Sequence, residues 1–143
     1  MHYPEIIKVL GGEEVFYRKV RNQMDLIELS MAGISKNALM RLAENLSFSV
    51  SQLSELLPIT RRTIERYAPD KHFNQAVSEQ IIQLAEIAAK GDQVFGDRDS
   101  FLLWLKSPCK AFADNTPLSL LRSRFGVEMV MDELGRMEHG VIS

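Results

Sequence analysis

A cluster of arginines and threonines near the middle of the chain is the feature best suited to specific chemistry. Its members are Thr60, Arg61, Arg62, Thr63 and Arg66. If this stretch is helical, Ile64 and Tyr67 face inward and leave the cluster near or on the open side. Arginine can bond the edge of guanine in the major groove of DNA, and arginines and hydroxyls also hold phosphates. The sequence therefore predicts that these five residues bind DNA, with a purely structural helix as the alternative.

The other residues that could carry chemistry are scattered. No histidine has a carboxylate or a second histidine at a metal-ligand spacing. The three histidines are His2, His72 and His139. Cys109 lacks a histidine partner and is interpreted as an inert thiol. Asp132 and Glu133 are adjacent on a predicted helix and point to different faces, which favours a solvated surface over an acid–base pair. We therefore expect no metal, no cofactor and no enzymatic activity.

The residues from 46 to 67 predict two short helices joined by a tight turn, the arrangement of a helix-turn-helix. Ser49 and Gln52 have the spacing of a capping box, which starts the first helix. Pro58 ends that helix, and Thr60 is a suitable N-cap for the second. Because proline cannot adopt the positive φ that glycine takes in many such turns, we expect this turn to differ locally.

Elements on either side support this pair. Ser35 is predicted to cap a helix with a buried stripe through Leu46. The residues from 68 to 77 are interpreted as a linker, and 78–95 as an amphipathic helix that Gly91 could break or end early. Upstream, Glu13 to Leu29 is either one broken helix or two short elements.

The C-terminal third predicts three further helices. Asp99 is a candidate cap for a helix through Leu105, and Thr116-Pro117 is a strong helix start. The last two helices are expected at about 117–123 and 126–138, with packing as the main role of Met129 and an interface contact as the alternative.

Composition limits the possible functions. The chain is 45% hydrophobic and 25% charged, which are globular proportions, and its net charge of −2 excludes a wholly basic nucleic-acid coat. Residues 34 to 67 nevertheless hold five basic and three acidic side chains. This small surplus predicts weak DNA binding by a monomer and tighter binding by a dimer. The single cysteine, the lack of a signal-peptide pattern and the absence of an apolar run of roughly 20 residues predict a cytoplasmic protein without a membrane contact.

A series of residues in the second half has a specific order. They are Phe95-Gly96-Asp97, Trp104-Leu105, Pro108, Thr116-Pro117-Leu118, Gly126, Val130, Leu134, Arg136, Glu138 and Gly140. Together with the stretch from 57 to 67, they resemble the Xre/ParS-type antitoxins of bacterial toxin–antitoxin systems, the partners of RES-domain toxins. The resemblance covers residues 34 to 141. Ala113, Asp114 and Asn115 stand where glycines are common in that family, and the segment 123–125 is bulkier and more basic than expected.

This resemblance implies an all-α fold in which an Xre-like helix-turn-helix bundle precedes a small helical toxin-binding domain. It also implies that the protein binds a cognate RES-domain toxin and blocks its active site. Such toxins resemble ADP-ribosyltransferases and consume NAD, which the antitoxin itself does not handle. The antitoxin, alone or with its toxin, is expected to bind operator DNA, to repress its own operon and to form a homodimer.

The end of the last helix is the candidate toxin contact. A helix end followed by a short tail, residues 140–143, can enter a partner's cleft. The polar or terminal residues there are Arg136, Glu138, His139 and Gly140. They could pair with charged catalytic groups of the toxin. The alternative is that this helix only packs against the helix of Trp104.

These predictions divide the chain into three parts. Residues 1–33 form an N-terminal segment, 34–70 the DNA-binding region, and 71–143 the toxin-binding domain. The alternative hypothesis is a free-standing Xre-type transcriptional regulator whose C-terminal half is a dimerisation module. An enzyme ranks below both, since no catalytic constellation is present.

Overall fold

The computed structural model describes residues 3–12 and 20–140, and helices account for most of this part of the chain. The helices are α1 (Tyr3–Val9), α2 (Gln23–Ala32), α3 (Lys36–Leu46), α4 (Val50–Leu56), α5 (Arg61–Arg66), α6 (Gln75–Phe95), α7 (Arg98–Leu105), α8 (Pro117–Leu120) and α9 (Arg124–Glu138), with a 3-10 turn at Lys110–Phe112. No strand forms within the described residues, where a single bridge pairs Ser35 with His72. The predicted all-α class is confirmed. Of the segment expected between Glu13 and Leu29, residues 13–19 lie outside the described part.

The chain divides into two compact units, residues 1–86 and 87–143, and the division falls inside α6. The core of the first unit includes Ile6, Leu10, Ile34, Leu39, Leu42, Leu46, Leu53 and Ile64. The core of the second unit includes Phe101, Leu105, Phe112, Leu121, Val130 and Leu134. The division by role into 1–33, 34–70 and 71–143 stays a prediction.

Helices α3, α4 and α5 each begin on the side chain that the sequence predicts. The Ser35 hydroxyl accepts a hydrogen bond from the backbone N–H of Ala38 at 3.2 Å. Ser49 and Gln52 form both bonds of the capping box. The Thr60 hydroxyl accepts from the N–H of Thr63 at 3.1 Å. These bonds satisfy donors that a helix start leaves without an intrahelical partner, which fixes where each helix begins.

The turn between α4 and α5 differs from a glycine-containing turn, as Pro58 led us to expect. Leu57 is extended, with φ −115°, and no described residue between 57 and 60 has a positive φ. The backbone N–H of Ile59 instead donates to the Leu57 carbonyl at 2.8 Å, which closes the turn tightly around Pro58.

The segment after α5 is not the linker that its polar composition indicates. Backbone bonds tie it to the start of α3: Lys36 N–H donates to the Lys71 carbonyl at 2.9 Å, and Phe73 N–H to the Ile34 carbonyl at 2.8 Å. The side chains of Phe73 and Val77 are buried, and α6 already begins at Gln75. The prediction was wrong because two apolar residues in a polar stretch are enough to bury it.

The start of the second unit also corrects two expectations. Helix α6 continues through Gly91. The glycine does not break the helix but makes room for the ring of Phe101, which lies where a side chain at Gly91 would be. Asp97, not Asp99, caps α7: its carboxylate accepts from the backbone N–H of Ser100 at 3.3 Å and from the Ser100 hydroxyl at 2.6 Å. The bond from the Ser100 hydroxyl, together with the backbone bond, holds the pKa of Asp97 below its usual value.

The last two helices have other bounds than expected. Thr116 caps α8 with Pro117 in the first helical position, as predicted, but α8 already ends at Leu120. Helix α9 begins two residues before Gly126, on the cap residue Ser123. Gly126 lies inside this helix, and a Cβ there would overlap the carbonyl oxygen of Leu120. The glycine therefore marks a close crossing of α8 and α9 and not a helix start.

Candidate functional site

Helix α5 presents the predicted DNA-binding cluster on its outer side. Ile64 is fully buried beneath the helix, whereas Arg61, Arg62 and Arg66 are exposed. Thr60 and Thr63 are joined by a bond of 2.9 Å between their hydroxyl oxygens at the helix start. The five predicted residues therefore lie on one short, capped helix.

The arginines of this cluster are not equivalent. Arg61 bonds the carboxylate of Glu65 on its own helix, and its Nη1 donates to the Ser51 hydroxyl on α4 at 2.8 Å. The side chains of Arg62 and Arg66 have no hydrogen bond or ion pair to another residue in the described part of the chain. Their guanidinium groups have donors available for a ligand, while Arg61 helps to join the two helices of the motif.

The far end of α5 is fixed by a lysine from α3. The ammonium group of Lys36 donates to the carbonyl of Tyr67 at 2.9 Å and to that of Glu65 at 3.3 Å. These carbonyls lie at the helix C-terminus, where backbone acceptors lack intrahelical partners and carry partial negative charge. Lys36 thus neutralises this end and holds α5 against α3.

A hollow of about 310 Å³ lies beside this end of α5, lined by Thr63, Arg66, Tyr67, Ala68 and Lys71. Lys71 extends over the ring of Tyr67, with its nitrogen 5.2 Å from the ring centroid. Sequence reasoning missed Lys71 because it placed this residue in a linker. Its position five residues after Arg66, next to an exposed turn and an aromatic side chain, was the available signal.

The predicted toxin contacts at the end of α9 are largely engaged within the second unit. Arg136 donates to the Glu133 carboxylate at 2.8 Å, and Glu138 accepts from Lys90 of α6 at 2.7 Å. His139 is exposed, 4.0 Å from Glu138, and Gly140 has φ +75°. Residues 141–143 of the predicted tail lie outside the described residues. The expectation of a solvated Glu133 was wrong: it is buried, and Arg136 pairs with it.

The exposed face of α9 holds two apolar side chains, of which only Met129 had an interface role as its second interpretation. Phe125 is 78% exposed and Met129 is 45% exposed. The four-residue spacing places them one turn apart on one face. Phe125 belongs to the segment 123–125, whose bulk departs from the family pattern, and this departure is the signal that the sequence contains. Met129 packs less than expected.

The described residues contain no group of three histidine, cysteine or acidic side chains that could hold a metal ion. Among the same residues, no helix is both long enough and apolar enough to cross a membrane.

In a comparison with known proteins, each of the two units matches a protein family. Residues 25–86 match the family described as the antitoxin Xre-like helix-turn-helix domain. Residues 90–140 match the antitoxin Xre/MbcA/ParS C-terminal toxin-binding domain. The fold and these matches define the class, a helical antitoxin-type protein with a helix-turn-helix and a toxin-binding domain. The chain belongs to the Xre-type antitoxin family.

Individual relatives agree with this family. Antitoxin Xre of Yersinia enterocolitica serotype O:8 / biotype 1B is 32% identical over 85 residues, which are 59% of this chain and 57% of that protein. The chain therefore matches less than two thirds of the Yersinia protein's length. Antitoxin Xre of Photorhabdus laumondii subsp. laumondii is 28% identical over 99 residues, which are 68% of this chain and 67% of that protein.

A solved structure shares the fold. The match with a chain in the crystal structure of the M. tuberculosis MbcT-MbcA toxin-antitoxin complex has a TM-score of 0.56 and 18% sequence identity. It covers 87% of this chain and 100% of that chain.

Proposed function

We propose that this chain is an antitoxin that binds a cognate RES-domain toxin through its second unit and blocks the toxin's active site. It acts without enzymatic activity and without a cofactor, in the cytoplasm. Through α5 it also binds operator DNA as a homodimer and represses its own operon. Arg136, Glu138, His139 and Gly140 at the end of α9 take part in the toxin contact.

One observation carries the toxin-binding role. The residues that match a toxin-binding domain, 90–140, fall wholly within one compact unit with its own core. A unit with its own core can hold a binding surface in a fixed geometry, which reduces the ordering cost of association.

Co-expression tests this role. The open reading frame beside this gene should stop growth when expressed alone, and this chain should restore growth and co-purify with its product. The matched control is the same chain with Gly126→Ala, which disturbs the α8–α9 crossing and should rescue poorly. A harmless neighbour that does not co-purify would contradict the toxin-binding proposal and favour the free-standing regulator.

The DNA-binding role rests on Arg62 and Arg66, whose donors are available on a helix held at both ends. Replacing either with alanine should weaken operator affinity by about 1–3 kcal/mol if its guanidinium bonds a base edge. Titration of labelled operator DNA, compared with a shuffled sequence, measures the loss. A loss of equal size on both DNAs would indicate a phosphate contact instead.

Arg98→Ala is the control for this titration. Arg98 is an exposed arginine in the second unit, 3.8 Å from Asp92, and its removal changes the net charge equally. We expect operator affinity close to that of the unmodified chain. If Arg62→Ala and Arg66→Ala also leave affinity unchanged, α5 is not the recognition helix.

A further inference from the structure

The outward face of α9 changes character along its length. Phe125, Met129, Asp132 and Arg136 follow one another at intervals of four, three and four residues, which keeps them on one side of a helix of 3.6 residues per turn. The first two are apolar and the last two are charged. The opposite side of the helix, with Val127, Val130 and Leu134, is buried in the second unit.

Phe125 is not required for the fold of this helix. The Ser123 hydroxyl caps α9 by accepting from the Gly126 N–H at 3.1 Å, and Gly126 makes the contact with α8. The phenylalanine ring, 78% exposed, contributes little to the core. Among the described residues it is the most exposed large hydrophobic side chain.

A rigidly presented aromatic ring is suited to anchoring a partner. Its backbone is fixed by a capped helix, so only two side-chain torsions must be ordered on binding. Phenylalanine, like tyrosine and tryptophan, is enriched in the buried core of protein interfaces, and a few such buried side chains carry most of the binding free energy. Met129, one turn further along, adds a flexible apolar side chain that can adapt to the same groove.

We infer that Phe125 and Met129 form the apolar anchor of the toxin contact and insert into an apolar groove on the toxin's surface. This inference rests on the proposed antitoxin function and names the surface that performs it. One observation selects the toxin as the occupant: both residues lie within the 90–140 match to a toxin-binding domain. The proposed contacts Arg136 and His139 lie further along the same helix face, so one partner surface would meet all four residues.

This anchor shifts the main contribution to binding away from the end of α9. Arg136 and Glu138 already bond Glu133 and Lys90, so a toxin would have to compete with those ion pairs for them. Phe125 has no such competing partner, because its ring faces water. Its removal from water into an apolar groove is favourable.

The test measures binding of full-length variants to the purified product of the adjacent open reading frame. Phe125→Ala should raise Kd by about 30-fold or more, the loss typical of a residue that dominates an interface. Met129→Ala should raise Kd by a smaller factor, and Phe125→Leu should retain part of the affinity. Met31→Ala is the matched control, because Met31 is 66% exposed on α2 of the first unit. Circular dichroism melting should show that all four variants stay folded.

The outcomes separate the two proposals. If the unmodified chain does not bind the neighbouring protein, the proposed function fails, and this inference fails with it. If the unmodified chain binds and Phe125→Ala binds equally well, the inference alone is wrong. The alternative occupant of this face is a second copy of the chain, which sedimentation velocity would detect as a homodimer. If Phe125→Ala dissociates that homodimer and leaves toxin affinity unchanged, the face is a contact between two copies and the inference is wrong.

Discussion

Two residues of the second unit adopt a backbone conformation that favours glycine. Ala113 and Asp114 have φ of 54° and 66°, in the left-handed region where a Cβ crowds the following carbonyl oxygen. They lie in the loop before Thr116, where the resemblance leads one to expect glycines. The loop thus adopts a glycine-type conformation with residues other than glycine, and the strain falls mainly on Ala113, since aspartate tolerates this region better than alanine.

We predict that Ala113→Gly stabilises the protein. Glycine relieves the steric cost of a left-handed residue, about 1–2 kcal/mol, and offsets part of this gain by its greater freedom in the unfolded chain. The net gain should be about 0.5–1 kcal/mol, measured as the free energy of unfolding in a urea titration. Ala111→Gly is the control, because Ala111 lies in the 3-10 turn without a positive φ and should lose stability. A loss for both variants would contradict the strain argument.

The arginines of α5 show what a sequence can and cannot establish about a site. The cap at Thr60 and the buried position of Ile64 follow from spacing, so the outward placement of the cluster was predictable. The difference between Arg61 and Arg62 was not. It depends on Ser51, ten residues upstream, which comes within hydrogen-bond distance of Arg61 only because α4 and α5 cross. Contacts between elements decide which charges remain available.

At the scale of elements, the crossing of α8 and α9 depends on one missing side chain. Gly126 lets the backbone of Leu120 approach α9 more closely than any Cβ would allow. The crossing sets the direction in which α9 leaves α8, and therefore the position of its outward face.

We predict that Gly126→Ala destabilises the protein by about 1–3 kcal/mol, the usual cost of forcing extra atoms into a packed site. Gly135→Ala is the matched control on the same helix, because nothing lies within 4 Å of a Cβ there. That variant should gain up to about 1 kcal/mol from the higher helix propensity of alanine. Thermal melts of both variants check the pair, and equal effects at the two positions would contradict the close crossing.

The helix starts at Ser35, Ser49, Thr60 and Thr116 were predicted correctly, whereas the starts of α6, α7 and α9 were not. Ser35, Ser49, Thr60 and Thr116 each act through a backbone donor three residues away, so local sequence is sufficient. The prediction of a linker from 68 to 77 was wrong because the backbone bonds of this segment go to the start of α3, more than thirty residues upstream. No local sequence pattern indicates such bonds. Asp99 was a plausible cap, but the backbone turns at Gly96, with φ +69°, and so places Asp97 at the helix start.

At the scale of the whole molecule, charge is unevenly distributed along the chain. The net charge is −2, yet residues 34 to 67 carry a positive surplus of two charges, and Asp70 and Lys71 immediately afterwards cancel each other. A protein with this distribution is repelled by DNA except through one face. Its affinity should therefore depend on how many phosphates that face contacts at once.

We predict a steep salt dependence of operator binding. If Arg62, Arg66 and Lys71 each neutralise one phosphate, a homodimer makes six such contacts, and log Kobs against log salt should have a slope of about −5. A monomer should give about half that slope. Titrations between low and moderate salt measure it, and Lys71→Ala should reduce the dimer's slope by about 2. A slope near zero would rule out phosphate contacts by these residues.

The helix caps described above also affect how quickly the chain can fold. Each helix from α2 to α9 starts on a side chain of its own, with Asn22, Asn74 and Ser123 completing the set. These interactions span three residues and need no distant partner, so they can form on the microsecond timescale of helix formation. Proteins rich in such local contacts fold fastest. The helices of a newly synthesised chain can therefore form before their tertiary contacts do. The time between synthesis and the folded state would be limited by the packing of the helices against one another and not by their formation.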